Sequence, residues 1–236
     1  MHLQLPKRDL LRLVARCQGV TDKKPAMPAL GTLLFTATPG TLRVAATDLY
    51  LAISGTAPAE VTEPGAVALP AKDLLDRVRA MPEGPLQLSA TPDGRAVLKT
   101  ATSPRRYTLN GIPATDFPTI PSPVPASPSL ALPPEVLGLL IARTHFSVST
   151  DETRPHVNSG LLECSGDAVR LVSTDGHRLS KMTVQLPGTE ASTTMLIPLK
   201  ALRPRQLVCP KFAGPRLKPV LRTVPGARLE LAHTCL

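Results

Sequence analysis

A chain of 236 residues with 42% hydrophobic content holds enough apolar material for two ordinary cores, and its formal net charge of +9 favours a polyanionic partner over an acidic or neutral substrate. Aromatics make up only 3%, with no Trp, so the cores must be aliphatic, and stacking of bases on exposed rings is excluded as the main route to nucleic acid. No apolar run approaches the ~20 residues of a membrane span and the basic N-terminus is unlike a secretory signal, so a soluble cytoplasmic protein with no membrane partner is expected.

In chain order, Pro6 stands where a first-turn proline belongs, and Leu10, Leu13, Val14 and Cys17 give the helix that follows an apolar face. Strand alternation then covers residues 31–38, 42–53 after a Pro39-Gly40 turn, and 66–69. A second helix begins at Pro70, with Leu74, Leu75, Val78 and Met81 on its buried face, and Pro82 closes it. Three more strands are expected at 86–90, 96–100 and 105–109, the first two joined by a Pro92-Asp93-Gly94 turn. The pattern is that of an α+β unit, antiparallel strands with two helices on one face.

The unit then recurs at an offset of 127. Leu5-Pro6 returns as Leu132-Pro133, Leu13 to Arg16 as Leu140 to Arg143, Pro28 as Pro155, Leu34 as Leu161, and Thr47-Asp48 as Thr174-Asp175. A period that long marks a whole domain with its own core. Two copies are therefore expected, one over residues 1–118 and a partial one over 130–203. Between them, eight prolines in the 22 residues from Pro113 to Pro134 make a stiff extended linker, centred on 119–129.

Residues 67–74 recur as 195–202, so a second helix of the second copy begins at Pro198, and Pro204 stops it. From Arg203 to the end, seven Lys or Arg face one acid, a net of +6, and five prolines argue against long strands or helices. The expectation for 204–236 is an aberrant basic tail, disordered, of the kind a frame change would produce.

Thr174, Asp175, Gly176, His177, Arg178 and Leu179, with Ser173 and Ser180 nearby, could suggest a hydrolytic triad. The first copy has Thr47-Asp48-Leu49-Tyr50 there, keeping the Thr-Asp and losing the His, so a turn-fixing Asp is the better reading. Arg8, Arg12 and Arg16 recur every four residues and form one stripe opposite the apolar face of the first helix. Such a stripe is either a solvated face relieved by Asp9 or one turned toward a phosphate backbone, and Lys23, Lys24, Arg77 and Arg79 favour the second. Cys17, Cys164, Cys209 and Cys235 lie far apart without metal-ligand spacing, so reduced thiols, no metal and no cofactor are expected.

The runs DKKPAMPALGTLL, ATDL, VALPAKDLLD, RRYTLNGIPATDFP, FSVSTDETRPHVNSGLLE and VRLVSTDGHRL, in this order, resemble the β subunit of bacterial DNA polymerase III, the replicative sliding clamp. The resemblance implies tandem DNA-clamp domains of a non-catalytic processivity factor. Members have three such domains and pair head to tail as homodimers into a ring around double-stranded DNA. Its implied partners are that DNA, the polymerase III catalytic subunit and the clamp loader.

By the same resemblance Arg154, Val157, Thr174, Gly176, His177, Arg178 and Leu179 form the domain-two part of a cleft for short hydrophobic peptide motifs. Lys24 falls in a DNA-contacting loop, Arg154 and His156 in its second-copy counterpart, and Arg106 and Tyr107 on the strand that meets the partner protomer. The third domain has no counterpart here, so a ring that is not closed is expected. The rivals are a non-encircling fragment with residual peptide docking or none, a six-domain ring of three two-domain chains, and, most distantly, a hydrolase using His177.

Overall fold

Four apolar-proline steps, Leu5-Pro6, Leu69-Pro70, Leu132-Pro133 and Ile197-Pro198, set the frame of the molecule. Each stands at the end of a strand or just past it, since proline cannot donate to a ladder, and each opens a helix from its fixed φ. The computed structural model describes residues 1–21, 27–49, 51–120, 129–187, 192–202, 220–224 and 228–233. It separates into two compact units, Met1–Ile120 and Pro121–Thr234.

In the first unit β1 (His2–Pro6) runs into α1 (Lys7–Cys17), then come β2 (Thr32–Thr38), β3 (Thr41–Thr47), β4 (Leu51–Pro58) and β5 (Glu60–Glu63). The plan then repeats: β6 (Gly65–Pro70), α2 (Ala71–Ala80), β7 (Pro85–Ala90), β8 (Arg95–Thr100) and β9 (Ser103–Asn110), followed by the short β10 (Ile112–Pro113). Both helices start from an extended proline, Pro6 and Pro70, and carry an acid in the first turn, Asp9 and Asp73, where the helix dipole favours negative charge. The unit is thus two strand-helix-three-strand halves.

The halves exchange their first strands. β1 pairs antiparallel with β7, Leu3 opposite Leu88, and β6 pairs antiparallel with β2, Leu34 opposite Ala68. One sheet has the order β5-β1-β7-β8-β9, and the other includes β10-β6-β2-β3-β4. The helices pack on each other, α1 against β3 and β4, α2 against β6 and β9. Leu3, Leu10, Leu33, Leu74 and Leu88 are fully buried, with Phe35, so the core is mainly aliphatic, as a chain with 3% aromatics requires.

The second unit follows the first element by element. β11 (Ser129–Ala131), α3 (Pro134–Thr144), β12 (Ser159–Ser165), β13 (Ala168–Thr174) and β14 (Leu179–Gln185) precede β15 (Thr193–Pro198) and α4 (Leu199–Leu202). α3, β12 and β13 are α1, β2 and β3 displaced by 127 residues. β15 again pairs with β12, in a sheet of order β14-β13-β12-β15. α4 has four residues where α2 has ten.

Two expectations are corrected. The strand expected over 42–53 is two strands, because the chain turns at Asp48, whose carboxylate accepts from the Leu51 amide at 2.7 Å. The tail also contains strands. β16 (Val220–Val224) pairs with β17 (Arg228–His233), and β16 pairs with β11 as β7 pairs with β1. Leu221 faces Leu231 in that hairpin as Leu88 faces Leu98, and Pro225 and Arg228 stand in sequence where Pro92 and Arg95 do. One short strand fits between Pro219 and Pro225 and the other follows the last proline, where long ones do not fit. Most of the expected linker, residues 121–128, lies outside the described residues.

One buried cation joins the two halves of the first unit. The Lys7 ammonium, at the start of α1, donates to the Met81 carbonyl just past α2 at 2.7 Å and to Glu83 at 2.8 Å. Lys7→Ala would leave that carbonyl unsatisfied, so it should lower the unfolding free energy by about 2 kcal/mol in a denaturant titration. Glu83 is exposed, and Glu83→Ala should cost well under about 1 kcal/mol. Equal losses for the two variants would contradict the assignment of the carbonyl as the partner that matters.

Candidate functional site

The loop between β13 and β14 is built by two side chains. Thr174 accepts from the Gly176 amide at 3.1 Å and donates its hydroxyl to the Arg178 carbonyl at 2.7 Å. Asp175 accepts from the His177 and Arg178 amides, both at 3.0 Å, and from the Arg178 guanidinium at 2.8 Å. These bonds to the charged form hold the Asp175 carboxyl down at about 2. Gly176 has φ +95 with open space around it, so it serves the backbone conformation.

The first copy builds its turn the same way. Thr47 accepts from the Leu49 amide at 3.0 Å, Asp48 from Leu51, and Leu49 takes the positive φ, 75, that Gly176 takes in the second. The Thr-Asp pair is therefore scaffold in both copies. What the second copy adds on that scaffold is an exposed glycine, His177, Arg178 and Leu179, the last 65% exposed despite its apolar side chain. Ser173 donates to the Thr144 carbonyl and Ser180 bonds Ser147, so neither hydroxyl is turned to His177.

The other residues expected in this cleft divide. Arg154 and His156 are exposed on the loop before β12, whereas Val157 is buried. Its carbonyl and that of Arg154 close the loop, accepting from Ser149 at 2.9 Å and Asn158 at 2.9 Å. Among the described residues no hydrogen bond or ion pair joins this loop to residues 174–179.

On α1 the buried side is Leu10, Leu13, Val14 and Cys17; Arg8 is exposed, 3.7 Å from Asp9, and Arg12 and Arg16 are half-buried. Lys23 and Lys24 lie outside the described residues. Arg77, expected among the phosphate contacts, binds Asp73 at 2.8 Å and the Thr108 carbonyl at 3.0 Å, and its guanidinium carbon lies 5.6 Å from the Tyr107 ring centre. The i, i+4 spacing of Asp73 and Arg77 was a signal of that pairing. Arg106 is exposed and Tyr107 half-buried on β9, the last strand of its sheet among the described residues.

A shallow cleft of about 390 Å³ lies elsewhere in the first unit, lined by Gln4, Pro6, Gly40, Ala59, Glu60 and Pro85, and holds none of the expected site residues. The described residues contain no group of three metal-ligating side chains and no helix long and apolar enough to cross a membrane. Cys17, the last residue of α1, is buried, and burial pushes its thiol up to about 12.

Because the bonds to Asp175 favour its charged form, the loop is complete above the ordinary carboxylate range and is lost as pH falls through about 2. The His177 and Arg178 amide resonances should therefore titrate together with a midpoint near 2. A midpoint at the ordinary 3.8 would contradict the network.

Residues 1–121 match the family model described as DNA polymerase III beta subunit, N-terminal domain, and residues 131–208 match the one described as its central domain. Curated relatives include the beta sliding clamp of Escherichia coli K12, 30% identical over 203 residues, covering 86% of this chain and 55% of that one. That of Synechocystis sp. is 35% identical over 221 residues, covering 86% and 56%. Among solved structures, Caulobacter crescentus pol III beta is 29% identical with a TM-score of 0.83, covering 95% of this chain and 61% of that one. The Thermotoga maritima beta subunit, 22% identical over 99% and 62% of the two chains, shares the fold at a TM-score of 0.85. The chain spans about half the length of the curated relatives it matches. With both units matched in tandem, it belongs to the DNA polymerase III beta subunit family.

Proposed function

We propose that the chain is a DNA sliding-clamp module, a non-catalytic processivity subunit of the bacterial replicative polymerase acting in the cytoplasm. Its partners in this reading are double-stranded DNA, the polymerase III catalytic subunit and the clamp loader. The observation that carries it is the match of both units, over 1–121 and 131–208, to consecutive domains of that family. Residues 1–118 and 130–203 are then two clamp domains.

In this reading Arg8, Arg12 and Arg16, with Lys23, Lys24, Arg154 and His156, meet the phosphate backbone without reading bases, which suits a protein that must slide. Thr174, Gly176, His177, Arg178 and Leu179, with Arg154 and Val157, receive short hydrophobic peptides. A glycine allows close approach, Leu179 offers an apolar seat, and His177 and Arg178 offer donors. Arg106 and Tyr107 form the edge toward another protomer.

A non-encircling mode is favoured for the 236 residues alone by the edge at β9, which pairs with no further strand among the described residues. They should bind circular and linear duplexes equally, with no topological retention. Retention on a circle that linearisation abolishes would show encirclement. Binding should also fall steeply with salt, and replacing Arg8 and Arg12 by Ala should reduce the slope of log K against log salt by about 2. An unchanged slope in fluorescence anisotropy would remove α1 from the DNA-facing surface.

A further inference from the structure

The open edge of β9 is not left bare. The Thr91 amide donates to the Arg95 carbonyl at 2.9 Å and the Gly111 amide to the Gly94 carbonyl at 2.9 Å. Antiparallel ladders alternate, so Arg95 and Val97 turn their backbone to β7, while Ala96 and Leu98 turn theirs to β9. Their partners there are Leu109 and Tyr107. The backbone of Arg106 and of Thr108 must then point away from β8, toward the side where a further strand would add.

Arg77 occupies that side. Its guanidinium reaches from α2 to the outward Thr108 carbonyl at 3.0 Å, braced by Asp73 at 2.8 Å and lying over the Tyr107 ring. Arg105, on β9, returns the link by donating to the Ala80 carbonyl at the end of α2 at 2.7 Å. The other half of the unit makes the comparison. At the matching place in α1, 64 residues earlier, stands Leu13, which packs on Gly55 of the buried strand β4. Where the last strand of a half is buried the helix presents a leucine, and where it is exposed the helix presents an arginine that takes up an edge acceptor.

We propose that Arg77 is an edge guard, which keeps β9 from adding the strand β14 of a second copy of this chain. β14 is a matching liability, because among the described residues it is an end strand of its own sheet, a full seven residues long, with Leu179, Lys181, Thr183 and Gln185 exposed. Strand addition at β9 must displace Arg77 from Thr108, and the exposed Arg105 and Arg106 set like charge against Lys181. A cognate partner strand has to supply a better acceptor for the guanidinium. The role requires no DNA and does not depend on the clamp reading.

Sedimentation velocity over a concentration series, at high salt to screen the other arginines, tests it. Arg77→Ala should self-associate about tenfold more tightly than the unaltered chain, the worth of one edge hydrogen bond regained. The Arg106 and Thr108 amides should then exchange more slowly as concentration rises, which mere loosening of the fold would not produce. Adding Arg106→Pro, which removes one outward donor, should abolish the gain. Arg77→Met, which keeps the apolar stem, serves if the alanine variant does not fold. A folded variant that associates no better than the unaltered chain, or a gain that survives Arg106→Pro, overturns the proposal.

Discussion

The interaction on which the rest of the first unit depends is the exchange of first strands between its halves. β1 belongs by sequence to the half that contains β2, β3 and β4, yet its ladder partner is β7. β6 returns the exchange by pairing with β2. Neither half can satisfy its backbone alone, because separating them would strip two interior ladders of their partners at once. The apolar-proline steps make this possible, since each stops a strand where the helix must leave the sheet. Lys7, reaching Met81 and Glu83, fastens the same junction through side chains.

Held in this way, α1 and α2 lie side by side and the last strand of each half is left to meet something else. The two turns at Asp48 and Asp175 show how one scaffold is put to two uses. Both are closed by a threonine hydroxyl and an aspartate carboxylate, and both need one residue at positive φ. A leucine takes that conformation in the first unit at a cost of about 1 to 2 kcal/mol, and a glycine takes it freely in the second. The functional difference between the copies thus lies in side chains added to a shared backbone.

Much of this was legible in the sequence. The offset of 127 located α3, β12 and β13, and the 3.6-residue period located the buried faces of α1 and α2, because both signals come from residues that pack. The exchange of halves was harder to read. Its 64-residue echo survives mainly in Leu-Pro followed by a helix with an acid in its first turn, while β2 and β7 share little beyond alternation. The turn at Asp48 has neither Gly nor Pro and runs through apolar residues, so it looks like continuous strand. Prolines in the tail obscured two short strands, one on either side of Pro225.

Native-state hydrogen exchange on the first unit tests the strand exchange most directly. If the halves are interlocked, amides in β1, β2, β6 and β7 open together, with one free energy and one denaturant dependence. Separate opening of the β1-β7 and β2-β6 ladders, with different free energies, would show that the halves are independent and would contradict this account.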